Sequence, residues 1–387
     1  MNIDSTLPLP GKDAQLHSAR VVAHVHDEIA KCGGFIPFSR YLELVLYAPG
    51  LGYYVAGTRK FGADGDFVTG PELTPLYGAA LARQVEAIFA VARGRTIVEL
   101  GAGSGALAGA LLDALAAADA APERYCILEV SPDLRARQQA TIAARAPVQA
   151  TTRVDWLDRL PESIDGAVVM NEVLDAIPPR LVTRREGRWL ERGVTWQDGA
   201  LRSAERPLDD ARLATLAAAR FPADGDYASE VNPAAEALVT TLARRVASGA
   251  LVVVDYGFPR HEYYHPQRHE GTLVGHYRHR VHADPFLWPG LSDLTAHVDF
   301  TAIAEAGERG GAEVTGFATQ ASLLVGCGIL DLLAAAGPPD SARYLRAAAA
   351  VQKLVSPAEM GELFKVMLLS RGARCEWLAA NDMTHRL

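Results

Sequence analysis

Glu99, Glu129 and Glu172 each stand at or just past the end of a short apolar, β-branched run. A carboxylate so placed can accept hydrogen bonds from a ligand's hydroxyls or hold a cationic group. The first run, Ile97-Val98-Glu99-Leu100, drops into Gly101-Ala102-Gly103-Ser104-Gly105, and an Ala/Leu-rich helical segment follows over 106–117. A buried parallel strand, a tight glycine turn and a helix produce that order. Glycine accepts otherwise strained dihedrals and lets a ligand touch bare backbone. Glu99, Gly101, Ala102, Gly103 and Gly105 therefore read as the floor of a nucleotide-type cofactor site. Gly101, Gly103 and Ala106 also satisfy the looser dinucleotide fingerprint, which binds pyrophosphate at the helix N-terminus. Glu99 tilts the reading toward S-adenosylmethionine, with its methionine moiety along the turn, and a nicotinamide dinucleotide stays open.

Glu129 falls 28 positions beyond Gly101, in Ile127-Leu128-Glu129-Val130-Ser131-Pro132. At a second strand's end it can take both ribose hydroxyls of an adenosine, with Val130 beside it. The alternative is an acid capping the next helix. Asp155 and Trp156, expected just after a third strand, can take the adenine amino group and cover the ring, or start a surface helix. Val168-Val169-Met170 then releases Asn171, Glu172 and Asp175 before Pro178-Pro179 stops any long helix. Such a strand end is where α/β sheets place catalytic groups. Asp255-Tyr256-Gly257 repeats the theme, and Glu230 supplies a further acid, although Pro233 after it could simply open a helix. Gly62, Gly65 and Gly70 surround Asp64, Asp66, Phe67 and Thr69, which read as a lid over the cofactor. His261, His265, His269, His276, His279 and His282 match no zinc spacing and alternate with arginines, so no metal is expected.

The elements that must carry these groups alternate between helix and strand. Strands are expected over 97–100, 126–130, 167–171 and 251–255, with a weaker one near 148–151 and two more over 313–317 and 364–369. Helices are expected from about Leu16 to Lys31, over 38–46 and over 75–91. Seven strands interleaved with helices imply an α/β, Rossmann-like, doubly wound and mostly parallel sheet with helices on both faces. Two stretches break the rhythm: 175–249, where Asp198-Gly199 marks a hairpin, and the aromatic, His- and Pro-rich 257–300. The expected division is an N-terminal cap segment, 1–75; a first part of the main domain, 76–174; a cap insertion, 175–249; and the remainder, 250–387. No run is long enough to span a membrane. The net charge of −8 argues against a nucleic-acid footprint, and four scattered cysteines suit a reduced, cytoplasmic protein. The oligomeric state stays open, a homodimer included.

These blocks, in order, resemble the MidA family of S-adenosylmethionine-dependent methyltransferases, whose members include a mitochondrial complex I assembly factor. The similar residues begin with Pro37-Phe38-Ser39-Arg40-Tyr41, Leu46-Tyr47-Ala48-Pro49-Gly50-Leu51-Gly52-Tyr53-Tyr54 and Gly65-Asp66-Phe67-Val68-Thr69-Gly70-Pro71-Glu72. The glycine turn, Glu129-Val130-Ser131-Pro132, and the stretch from Asn171 to Pro178 follow. Asp255-Tyr256-Gly257, the stretch from Asp293 to Phe300, and Met360-Gly361-Glu362-Leu363-Phe364-Lys365 complete the set. Gly70 and Ile177 depart mildly from the pattern. The resemblance implies a class I methyltransferase fold, S-adenosyl-L-methionine as cofactor and S-adenosyl-L-homocysteine as product. For the mitochondrial relatives it implies methylation of a protein arginine. Glu172 and Asp175 are the candidates to orient a guanidinium and take its proton, with Asn171 beside them and His297 as a further acceptor. Glu230, Asp255, Tyr256 and Asp299 are candidates to hold the substrate. The competing function is an assembly or scaffold protein that binds the cofactor with little or no turnover.

Overall fold

The computed structural model describes residues 7–56, 69–144 and 152–387. They divide into two units. The larger comprises 68–174, 236–259 and 298–387, and its core is an eight-stranded sheet. Seven of its strands are β1 (Thr96–Leu100), β2 (Arg124–Leu128), β3 (Arg153–Leu157), β4 (Ile164–Asn171), β5 (Val246–Phe258), β6 (Glu313–Thr319) and β7 (Phe364–Arg371). The eighth, Val298–Asp299, pairs with the end of β5. The spatial order is β3-β2-β1-β4-β5-β7-β6. β1 through β5 run parallel, while β7 is antiparallel to both β5 and β6.

Central strands of a parallel sheet are covered on both faces and so read as unbroken apolar runs. β1, β4 and β5 do this: Val98, Ala167, Val168, Val169, Met170 and Leu251 to Val253 are fully buried. On one face Ile97, Tyr125, Ile127, Val169 and Val252 pack with helices Pro75–Phe89 and Ala106–Ala117. On the other, helix Phe300–Arg309 lies against β7, where a Cβ on Gly307 would come within 2.8 Å of Leu369. The expected α/β sheet of seven interleaved strands is therefore present.

The third strand departs from expectation. Residues 148–151 lie outside the described residues, and β3 runs over Arg153–Leu157, so Asp155 and Trp156 sit within a strand rather than after one. β2 also ends at Leu128, with Glu129 and Val130 just beyond it.

The smaller unit comprises 1–67, 175–235 and 260–297. Its main sheet is antiparallel, built from Ile36–Pro37, Arg180–Arg185, Arg188–Gln197, Ala200–Pro207 and Tyr227–Val231. Asp198 and Gly199, at φ +51° and +74°, make the tight turn that their sequence announces. Glu186-Gly187, at +49° and +76°, makes a second one that carries no such plain signal. Helix Lys12–Lys31 starts before Leu16 and buries Val21, Val25 and Ile29, four residues apart, against Tyr41, Val45 and Val194. The segment over 257–300 contains a small sheet of Val274–Tyr277, Arg280–His282 and Asp293–Thr295. Among the described residues no group of three or more His, Cys, Asp or Glu side chains could hold a metal ion.

Candidate active site

Strand order reverses between β1 and β4, and in open α/β sheets the crevice outside such a reversal is where ligands bind. Two turns leave the sheet side by side there, since Leu100 pairs with Met170. The first is the glycine turn. Gly101, Gly103 and Gly105 have φ of +64°, +54° and +84°, conformations that L side chains rarely adopt. Gly101 is exposed bare backbone, and a Cβ there would press within 3.2 Å of Val173 on the second turn. Ala102 is buried beneath.

Glu99 lies under this floor, 2% exposed, and its Oε2 accepts the Tyr125 hydroxyl at 2.6 Å. Burial pushes the carboxyl up to about 7, the Tyr125 bond pulls it down, and the charge of Glu129 adds to the rise. Glu129 is buried just past β2. Its Oε1 accepts the Ser131 N–H at 2.9 Å and its Oε2 accepts the Gln138 amide at 3.0 Å. Val130 beside it is 74% exposed, an apolar surface at the sheet's edge.

Thr69 is buried at the entry to helix Gly70–Leu73, whereas Gly62, Asp64, Gly65, Asp66 and Phe67 of the expected lid lie outside the described residues. Asp155 is corrected. It stands mid-strand, ion-paired with Arg124 at 2.8 Å and with Arg153 at 2.9 Å. Burial would raise its carboxyl, but the bonds from these two guanidinium groups win and hold it low. Trp156 keeps a link to the site through its indole N–H, which donates to Gln138 Oε1 at 3.0 Å.

The second turn begins at Asn171, the last residue of β4. Tyr77 donates its hydroxyl to Asn171 Oδ1 at 2.5 Å, and Asn171 Nδ2 donates to Glu172 Oε1 at 3.1 Å. Burial raises the Tyr77 hydroxyl well above its ordinary pKa, helped by the charges of Glu172 and Asp255, so it stays a donor. Glu172 takes φ +54°, a strained choice for a side chain with a Cβ, and its N–H is held by Val254 O at 2.8 Å. Asp255 is fully buried. Its Oδ2 accepts the N–H groups of Val173 and Leu174 at 3.2 and 2.9 Å, and its Oδ1 that of Tyr256 at 3.0 Å. Asp255 thus fastens the turn bearing Glu172, a different task from the substrate contact expected of it. Tyr256 stacks edge-on against Phe364 at 5.3 Å. Asp299 caps helix Phe300–Arg309 by accepting the Ala302 N–H at 3.1 Å.

The remaining candidates belong to the smaller unit. Glu230 is buried, and its Oε1 accepts the N–H groups of Thr272 and Leu273 at 2.8 and 3.0 Å. Its Oε2 accepts the hydroxyls of Tyr263, Ser229 and Thr272 at 3.1, 3.2 and 3.3 Å. These bonds pin a loop. The helix expected at Pro233 forms, capped by Asn232. Thr272 Oγ1 also accepts the His297 N–H at 3.0 Å. Asp175 is buried, and its carbonyl accepts the Ala296 N–H at 3.3 Å. Tyr54 donates to Asp293 at 2.6 Å, and burial, then Asp293, Tyr47 and Asp175, raise its hydroxyl well above the ordinary range.

Residues 79–318 match the model of a family described as S-adenosyl-L-methionine-dependent methyltransferases. The chain belongs to this family, the MidA methyltransferases. A COG1565-superfamily protein from Burkholderia thailandensis, solved bound to S-adenosyl-homocysteine, is 51% identical with a TM-score of 0.93, over 99% of this chain and 100% of that one. The Drosophila melanogaster protein named as a mitochondrial protein arginine methyltransferase NDUFAF7 homolog is 28% identical, over 88% of this chain and 82% of its own length. The mouse protein arginine methyltransferase NDUFAF7 is 29% identical over the same shares. The cofactor of this MidA methyltransferase is S-adenosyl-L-methionine. The site suits that group: bare glycine backbone, a buried carboxylate at a strand end, an exposed valine, and a rim whose carboxylates favour a sulfonium charge. Three participants escaped the sequence reading. Gln138 touches the turn, Glu129 and Trp156 together; Tyr77 holds Asn171; and Glu72 accepts a hydrogen bond from Ser104 Oγ. Only Glu72 lay inside a block already singled out.

Proposed function

We propose that this methyltransferase modifies an arginine side chain of a protein, with Glu129 taking the ribose hydroxyls of the cofactor and Glu172 binding the guanidinium. Relatives named protein arginine methyltransferases, 28–29% identical over 88% of the chain, support the substrate class. The observation that carries the role of Glu172 is its strained backbone, clamped from Asn171, Val254 and Asp255, on a turn touching Gly101. Such strain persists only where the surroundings enforce it, and it gathers at functional sites.

The bound cofactor supplies an activated methyl group on a sulfonium sulfur. A guanidinium nitrogen is a poor nucleophile because its lone pair is delocalised in a cation that stays protonated in water. Glu172 pairs with that cation, draws its charge toward one side and receives the proton released as the N–C bond forms and the methyl C–S bond breaks, its electron pair staying on the thioether sulfur of S-adenosylhomocysteine. Asn171 holds the carboxylate in place. We further propose a cytoplasmic location, for which the free state of all four cysteines speaks.

The test is Glu172→Gln. Methyl incorporation into lysate protein from a strain lacking the enzyme should vanish, while calorimetric affinity for S-adenosylhomocysteine stays within about threefold. Mass spectrometry should show methylarginine lost in that strain and restored by the wild-type chain alone. Unchanged turnover in the variant would remove Glu172 from the chemistry.

A further inference from the structure

Gln138 is a fully buried polar side chain on a helix, Pro132–Ala143, that is otherwise mostly solvated. Burying an amide costs free energy unless each of its groups is bonded, and here each one is. The two hydrogens of Nε2 go to Gly103 O and to Glu129 Oε2, both at 3.0 Å. The carbonyl Oε1 accepts the indole N–H of Trp156, also at 3.0 Å. A single side chain therefore ties together the turn after β1, the carboxylate after β2 and the body of β3. The helix is pressed onto the turn, since a Cβ on Gly105 would lie 3.1 Å from the Gln138 Cα. Thr141, three residues on, adds a bond to Ser104 O at 2.8 Å.

The chemistry admits few substitutes. Two donors and one acceptor in this arrangement are what a primary amide offers. A carboxylate at 138 would face the Glu129 carboxylate and the Gly103 carbonyl, and an alkyl group would remove this donor from Glu129 Oε2 and from the Gly103 carbonyl. Each Glu129 oxygen uses one lone pair inward, on Ser131 N–H or Gln138, and keeps a second for a ligand. The side chain is thereby fixed on both oxygens before any ligand arrives.

We propose that Gln138 is the positioning residue of the adenosine subsite. It holds Glu129 oriented toward the ribose hydroxyls, and its bonds to Gly103 O and Trp156 keep the amide itself in place to do so. The proposal rests on the ribose role given to Glu129 above.

The test compares Gln138→Leu, Gln138→Glu, Gln138→Met and Glu129→Ala by calorimetry on the full chain. The probes are S-adenosylhomocysteine and its 2′,3′-dideoxy analogue, and thermal melts of the unliganded proteins report folding. Gln138→Leu should weaken S-adenosylhomocysteine about tenfold or more and leave the dideoxy analogue within about twofold, because the lost bond acts through a carboxylate that serves only the hydroxyls. Gln138→Glu should weaken it further. Adding Gln138→Leu to Glu129→Ala should cost little more than Glu129→Ala alone. In turnover, KM for the donor should rise while kcat at saturation holds. Gln138→Met stands in if the leucine variant does not fold. Equal losses on both ligands, or full affinity in the folded Leu and Met variants, overturn the proposal. If Glu129→Ala itself binds normally, the ribose reading fails first, and the two failures are told apart.

Discussion

Asp255 and Leu174 are 81 positions apart in the chain, yet the carboxylate of one accepts the backbone N–H of the other at 2.9 Å. The same oxygen takes the Val173 N–H, and its partner oxygen takes that of Tyr256. A fully buried acid thus satisfies the amide groups exposed where β4 ends and the chain turns. Asp255→Ala leaves those amides without this acceptor, each at a cost of about 1–3 kcal/mol, so chemical denaturation should show a loss of about 3 kcal/mol or more. Asp255→Asn keeps one acceptor oxygen and should fall between the two. Methyl transfer should drop with Asp255→Ala even where the protein is still folded, because the turn bearing Glu172 loses its anchor.

The Tyr77 hydroxyl decides which way the Asn171 amide faces. With Oδ1 occupied by that hydroxyl, Nδ2 is turned to Glu172. Tyr77→Phe keeps the ring packed and removes only this orientation, so stability should fall by about 1 kcal/mol. The kinetic effect should be larger: kcat lower by about tenfold, with KM for the donor unchanged within about twofold. A matched rise in KM with kcat intact would instead assign Tyr77 to cofactor binding.

Glu99 gives the enzyme a pH dependence whose direction follows from its burial. Its carboxyl is raised to about 7 from an ordinary value of 4.5. The folded protein therefore holds a proton over that interval that the unfolded chain releases, and stability is lost as pH rises from about 4.5 through 7. Measured without ligand, wild type should lose stability relative to Glu99→Gln across this window, by up to about 3 kcal/mol. The glutamine still accepts the Tyr125 bond and carries no charge, so its own curve should be flatter. A constant difference between the two melting profiles from pH 5 to 8 would show that Glu99 does not titrate there.

The sheet could be read from the chain because its strands are buried on both faces and each apolar run ends at a polar turn. Ile97, Val169 and Val252 announce themselves locally. Glycines at 101, 103 and 105 announce the turn in the same way. What stayed hidden depends on partners distant in sequence. Nothing near Asp155 foretells that Arg124 of the neighbouring strand pairs with it, and nothing near Gln138 foretells Gly103 or Trp156. Asp255, Asp299 and Glu230 were legible as unusual acids, yet their tasks, fastening backbone in three places, emerge only from the folded chain. A buried carboxylate looks alike in sequence whether it meets a substrate or an amide. The small sheet over 274–295 was missed because its strands are three or four residues long, too short to establish a period.

Glu230 offers the sharpest case of such an internal fastening, and Gly271 reveals it. Gly271 takes φ +84°, and a Cβ there would lie 2.4 Å from Glu230 Oε1. Gly271→Ala must therefore adopt a backbone that alanine disfavours by about 1 kcal/mol and also push the carboxylate off Thr272 and Leu273. Since Thr272 in turn holds the His297 amide, the disturbance should travel to residues 296–297. Hydrogen exchange is the appropriate measurement, because opening of one loop need not lower the global transition. Protection at Thr272, Leu273 and His297 should fall in both Gly271→Ala and Glu230→Ala, by about tenfold or more, with amides of β1 and β4 unaffected. Glu230→Gln, which retains one acceptor oxygen for the Thr272 and Leu273 amides, should preserve most of it. If exchange at His297 is indifferent to both disruptive variants, the hold of Glu230 ends at Thr272 and Leu273.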